Sequence, residues 1–242
     1  MPRFSSSFLA LILASGIALA ACGGDDHHSS VPTTPATLRI MPLGDSVTEG
    51  QYVEGGYRLP LRDLLAPKLD FTFVGSLSNN SDGLDRPDHE GHSGWSILDF
   101  IGGGNHDLPS GVAQITNFVR DAKPDVILLL LGTNDVEVGV PEYTRRYRAL
   151  LDDIYAVTPN VRIAFMEVTP KVDGDEPQIQ QARDAAVALI PEYQKAGKRI
   201  VLIDPRAAFD PKTMLTDGVH PNALGYTTLA SLFEPAVETL AK

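Results

Sequence analysis

Apolar residues fall along the chain in short dense runs, separated by longer stretches in which they recur every third or fourth position. Five runs stand out for β-branched, aliphatic and aromatic side chains: Leu38–Met41, Phe71–Val74, Val126–Leu131, Val161–Phe165 and Arg199–Ile203. Val126–Leu131 is apolar throughout, the pattern of a central parallel strand covered on both faces. The intervening stretches Leu59–Leu69, Val112–Ala122, Tyr143–Val157, Gln178–Ala196 and Asn222–Leu240 predict amphipathic helices. Pro141 and Glu142 suit a helix start ahead of Tyr143, and Gly197 is placed to end the helix before it. Strands and helices alternate over short connections and nothing repeats. That order predicts an α/β fold, a three-layer α/β/α sandwich around a mostly parallel five-stranded sheet. Ligands of such sheets bind beyond the carboxyl ends of the strands. Leu38–Met41 runs into Gly44-Asp45-Ser46, and Val126–Leu131 runs into Gly132-Thr133-Asn134-Asp135, so both polar groups arrive at one edge.

The N-terminal pattern is different. Arg3 precedes the apolar run Phe8–Ala21, which is short for a bilayer span and closes in Leu19-Ala20-Ala21-Cys22. Residues 1–21 read as an export signal, and small residues before Cys22 look like a bacterial lipobox with Cys22 as the lipidated residue. Cys22 is the only cysteine, so no internal disulfide is available to the fold. Residues 22–36 are polar, contain two prolines and include His27 and His28 beside Asp25 and Asp26. They read as a solvated, flexible tether, because so few apolar groups cannot offset the entropy of ordering. The folded domain is expected over 37–242, on a chain exported and lipid-anchored to the bacterial envelope (outer membrane or cell surface), or secreted. A net charge of −11 disfavours nucleic acid as a partner. The lipid is the expected link to a membrane.

A serine hydroxyl attacks carbonyls only when an oriented base takes its proton. Ser46 follows a strand in a Gly-flanked turn, where it could equally cap the next helix. Asp217-Gly218-Val219-His220-Pro221-Asn222 places a carboxylate three residues before an imidazole, just ahead of the last helix. That spacing lets Asp217 reach Nδ1–H while Nε2 of His220 faces outward. Asn134 offers a side-chain amide at a strand end, a donor suited to an oxyanion. Asp135 is read as a brace for that loop. Serine acyl transfer of this kind needs no cofactor and no metal.

Gly-Asp-Ser near the start of the domain, Gly-Thr-Asn-Asp at mid-chain and Asp-x-x-His near its end resemble, in that order, the blocks of the SGNH (GDSL-type) hydrolases. The resemblance spans nearly the whole domain and implies the SGNH-hydrolase, flavodoxin-like fold. It also implies Ser46 as nucleophile, His220 as base and Asp217 as its orienting acid. The oxyanion donors would be the Ser46 N–H, Asn134 and a glycine of the second block. That block reads His89-Glu90-Gly91-His92-Ser93-Gly94-Trp95, and Gly94 is the matching glycine. With Met41-Pro42-Leu43-Gly44-Asp45-Ser46, Gly55-Gly56-Tyr57-Arg58 and Phe73-Val74-Gly75-Ser76, it resembles carbohydrate esterases of the third family, typified by acetyl xylan esterases. The implied activity is removal of small acyl groups, chiefly acetyl, from sugars. Trp95, Arg58 and Asp45 are the expected substrate contacts.

Other readings compete with these. Gly91-His92-Ser93 looks like half of an α/β-hydrolase elbow, but Trp95 replaces its last glycine and no apolar strand leads in. His89 and His92 lack the i, i+4 spacing of a zinc pair. Asp82, Asp85 and Asp88 read as a solvated acidic loop, with calcium as the alternative. A lysophospholipase or thioesterase would use the same catalytic groups with another acyl pocket. A non-catalytic carbohydrate-binding lipoprotein is the alternative of another class.

Overall fold

The computed structural model describes residues 37–242 apart from 105, 107–110 and 173–175. The expected export signal, Cys22 and the tether with His27 and His28 lie outside the described residues.

Among the described residues, six parallel strands form one sheet: β1 (Leu38–Gly44), β2 (Phe71–Phe73), β3 (Glu90–Gly91), β4 (Val126–Leu130), β5 (Arg162–Met166) and β6 (Ile200–Ile203). The order is β2-β1-β4-β5-β6. The expected five-stranded sheet gains β3, two residues that pair with Leu43 and Gly44 of β1. β2 pairs with Leu38–Ile40, so β2 and β3 take successive stretches of β1. Two residues carry no periodicity, which is why β3 had no signature in the pattern of apolar positions.

Residues of each strand alternate between two cores, as a side-chain period of two requires. Met41, Leu43, Ile127, Leu129, Ile163 and Phe165 pack on one face. That face is covered by α3 (Ile97–Phe100), α4 (Gln114–Ala122), α5 (Val140–Val157), α6 (Glu176–Val187) and α7 (Ile190–Lys195). Ile40, Val126, Leu128, Leu130, Ala164 and Met166 pack on the other. There they meet α1 (Ser46–Glu49), α2 (Arg58–Leu65) and α9 (Ala223–Ala241); α8 (Pro211–Met214) precedes α9 and adds Met214 to its flank. All five residues of β4 are buried, as its unbroken apolar run demands.

The expected single helix over Gln178–Ala196 is two helices. Pro191 has no N–H to give the preceding turn and its ring collides with the carbonyl four residues back, so α6 stops and α7 restarts with Pro191 in its first turn. The chain reverses its winding at β1, with β2 on one side and β4 on the other. The carboxyl ends of β1 and β4 therefore flank the switch point at which doubly wound sheets bind ligands.

Candidate active site

β1 ends at Gly44, and a Cβ there would collide with the Leu130 carbonyl and the Thr48 hydroxyl, so only glycine lets β1 and α1 close so tightly on β4. Asp45 then caps α1, its Oδ1 accepting the Val47 N–H at 3.0 Å. This places Ser46 on the first position of a one-turn helix that Gly50 ends in the left-handed region at φ 99°. The Ser46 backbone N–H, one of the orphan donors of a helix start, has no partner among the described residues.

Ser46 Oγ lies 2.9 Å from Nε2 of His220, across 174 positions of sequence. Nδ1 of His220 lies 2.8 Å from Oδ2 of Asp217. The other carboxylate oxygen accepts the backbone N–H of His220 at 2.8 Å and that of Val219 at 3.0 Å. Burial works to raise the Asp217 carboxyl, but the His220 N–H, the imidazole and the Val219 N–H outweigh it and hold the group well below the usual carboxylate range. An ionised carboxylate only accepts, so the proton of His220 sits on Nδ1 and the Nε2 lone pair faces the Ser46 hydroxyl. The turn carrying both residues is closed by Thr216 N–H to His220 O at 2.8 Å, and Val172 N–H to Gly218 O at 3.0 Å ties it to the chain after β5.

The segment after β3 is fixed to the serine turn by its backbone. His92 N–H donates to Gly44 O at 2.9 Å, and Ser93 N–H to Glu49 Oε2 at 3.0 Å. Gly94, at φ +79°, is exposed, and its N–H has no partner among the described residues. Asn134, exposed beyond β4, spends one amide hydrogen on Trp95 O at 2.8 Å and keeps the second. Donors at Ser46, Gly94 and Asn134 thus follow three adjacent strands at one sheet edge. Asp135 braces the last of these loops, accepting Ile97 N–H at 2.8 Å and the Arg146 guanidinium at 2.7 Å.

The expected substrate contacts fare differently. Arg58 is fully buried, and its guanidinium donates to Ser81 Oγ and to the carbonyls of Pro87, Glu49 and Asn80 at 2.6–3.0 Å. Burial lowers it to about 10. It clamps the 79–87 loop and presents nothing to a substrate. Asp45 has no exposed surface either; it is a helix cap, and burial pushes its carboxyl up to about 6 against the pull of the Val47 N–H. Trp95 stacks on His92 at 4.0 Å between ring centroids and contacts Phe100 edge-on at 5.0 Å, so it belongs to an aromatic cluster on the core. None of the three is the expected substrate contact: Arg58 is spent on the 79–87 loop, Asp45 on the start of α1, and Trp95 on the aromatic cluster.

Ser93, the competing serine, donates its hydroxyl to Gln51 at 3.3 Å. His89 accepts the Gly91 N–H on Nδ1 at 3.0 Å and donates from Nε2 to Asn79 O at 2.9 Å. Burial, with the Arg58 charge beside it, lowers His89 to about 4. His92 pairs with Glu90 at 2.7 Å. Two neighbours of the site escaped sequence reasoning. Glu49 holds the Ser93 N–H from inside α1, and Tyr52 stands edge-on to the His220 ring at 5.5 Å. A cluster of Gly50, Gly55 and Gly56 around Tyr52 was the only available signal of an unusual turn.

A Ruminococcus flavefaciens multidomain esterase is 30% identical over 243 residues, covering 88% of this chain and 31% of that protein, so the chain spans about a third of that curated relative. A Clostridium thermocellum family 3 carbohydrate esterase superposes with a TM-score of 0.72 at 30% identity, covering 85% of this chain and 98% of the other. A family 3 carbohydrate esterase from Talaromyces cellulolyticus gives 0.67 at 27% identity, covering 84% and 98%. The GDSL-like lipase/acylhydrolase family model matches residues 43–228, from the end of β1 through Asp217 and His220 into α9, and the chain belongs to that family.

Proposed function

We propose that this chain is a serine esterase that removes small acyl groups, acetyl above all, from carbohydrates such as xylan. The observation that carries the proposal is the relay from Ser46 Oγ through His220 to Asp217, with contacts of 2.9 and 2.8 Å. Ser46 attacks the ester carbonyl as Nε2 of His220 takes its proton. Negative charge developing on the carbonyl oxygen is met by the N–H groups of Ser46 and Gly94 and the remaining amide hydrogen of Asn134. The imidazolium returns its proton to the departing sugar oxygen. Water then enters by the same route, His220 again acting as base, and acetate leaves with Ser46 restored.

The relatives named as family 3 carbohydrate esterases support the sugar-ester assignment. An acyl-chain series on the domain from Thr37, run beside acetylated xylan, tests it. Acetyl esters are expected to be cleaved fastest, with Ser46→Ala reduced by about 10⁶ in kcat while folding normally. Preference for long acyl chains would point to a lysophospholipase or thioesterase and sink the carbohydrate reading. Near-wild-type activity in Ser46→Ala would sink the nucleophile.

A further inference from the structure

We propose that Tyr52 is the platform on which the sugar ring of the leaving alcohol stacks; the proposal rests on the carbohydrate-ester reading above. Tyr52 has φ 66°, and the other non-glycine residues with positive φ among the described residues are Asn80 and Lys123. Asparagine tolerates that region, and Lys123 is the C-cap of α4. An aromatic residue there is a true outlier. Its turn is nonetheless firmly held. Gln51 N–H donates to Ser46 O at 3.0 Å, Val53 N–H to Gly50 O at 3.1 Å, and the buried Tyr226 hydroxyl to Gln51 O at 3.2 Å. Side-chain packing does not impose this conformation, because Tyr52 is 61% exposed. These hydrogen bonds hold the backbone in an unfavourable region with the aromatic residue exposed, and such outliers gather at functional sites.

The place of the ring says which part of the substrate it meets. Tyr52 and His220 stand at 80° with centroids 5.5 Å apart. His220 gives its proton to the departing oxygen, so the alcohol, rather than the acyl group, must lie on the imidazole side of Ser46. A pyranose presents a face of C–H groups, apolar and slightly positive, which suits the negative face of a tyrosine ring. Trp95 cannot serve, since His92 covers one face at 4.0 Å and His106 stacks beside it at 6.0 Å.

The test compares acetylated xylo-oligosaccharide with triacetin, which offers acetyl esters on a flexible, ringless alcohol. Tyr52→Gly accepts the backbone conformation and deletes the ring; Tyr52→Phe keeps the ring and drops the hydroxyl. The ratio of KM on the oligosaccharide to KM on triacetin is expected to rise about tenfold in Tyr52→Gly, and to return to within about twofold in Tyr52→Phe. An unchanged ratio in Tyr52→Gly, whether from no loss or from equal loss on both substrates, overturns the platform. Wild-type enzyme that cleaves triacetin but no sugar acetate overturns the carbohydrate reading and the platform with it.

Discussion

Replacing Asp217 with asparagine leaves the turn its backbone acceptor and reverses the one contact that orients the base. In the wild type, Oδ1 takes two backbone N–H groups and Oδ2 takes Nδ1–H of His220 at 2.8 Å. An asparagine oxygen can keep the first two bonds, which leaves its NH₂ facing Nδ1. The imidazole then carries its proton on Nε2, facing Ser46, and cannot act as base. The charge lost is worth roughly 6 kcal/mol by Coulomb's law at 2.8 Å and an effective dielectric constant of 20. Side-chain exposure of 35% for Asp217 and 20% for His220 screens this, to about 3 kcal/mol if half is lost. Those limits correspond to a loss of about 10² to 10⁴ in kcat, and the tautomer fault places the expectation at the upper end. His220→Ala, by contrast, removes the base itself and should cost about 10⁶. Initial rates on an acetyl ester, with circular dichroism to verify folding, measure both. A residual kcat above about a tenth of wild type in Asp217→Asn, or a loss equal to that of His220→Ala, would refute an orienting role. Because Asp217 is held ionised well below the usual range, its own protonation should add no step to the acid limb of kcat/KM.

Two further outcomes follow from the same geometry. Asn134→Ala should lower kcat by about 10²–10³ with little change in KM, read from steady-state kinetics; a change confined to KM would mean that the amide binds ground-state substrate instead. Asp45 is buried with its carboxyl raised to about 6, so the folded chain holds a proton that the unfolded chain releases near pH 4. Wild-type stability relative to Asp45→Asn should therefore fall as pH rises from about 4 to above 6, by up to about 3 kcal/mol. Asparagine can keep the cap on Val47. Denaturant melts of both proteins at pH 4 and pH 7 measure the difference, and a pH-independent gap would show that Asp45 is not charged at a cost.

The linear order of residues determines a good deal of this protein. Val126–Leu131 is apolar on both alternating faces, so it has to be a central strand, and a central strand needs helices on either side. Parallel strands then send Ser46 and Asn134 to the same edge, and three-residue spacing suffices for Asp217 to meet His220. Pro191, read by its missing N–H, also announces the break between α6 and α7 that the apolar spacing conceals. Burial is what a local pattern cannot decide. Arg58 reads as a substrate contact until four acceptors of the 49–87 region close around it, and Trp95 does so until His92 stacks on one face and Phe100 meets it edge-on. Tyr52 has no motif at all, because its place depends on a backbone angle and on a histidine 168 positions away that only the closed sheet edge brings beside it. Strand periodicity and spacing act over one element, whereas the exposure of a side chain depends on every segment that packs around it.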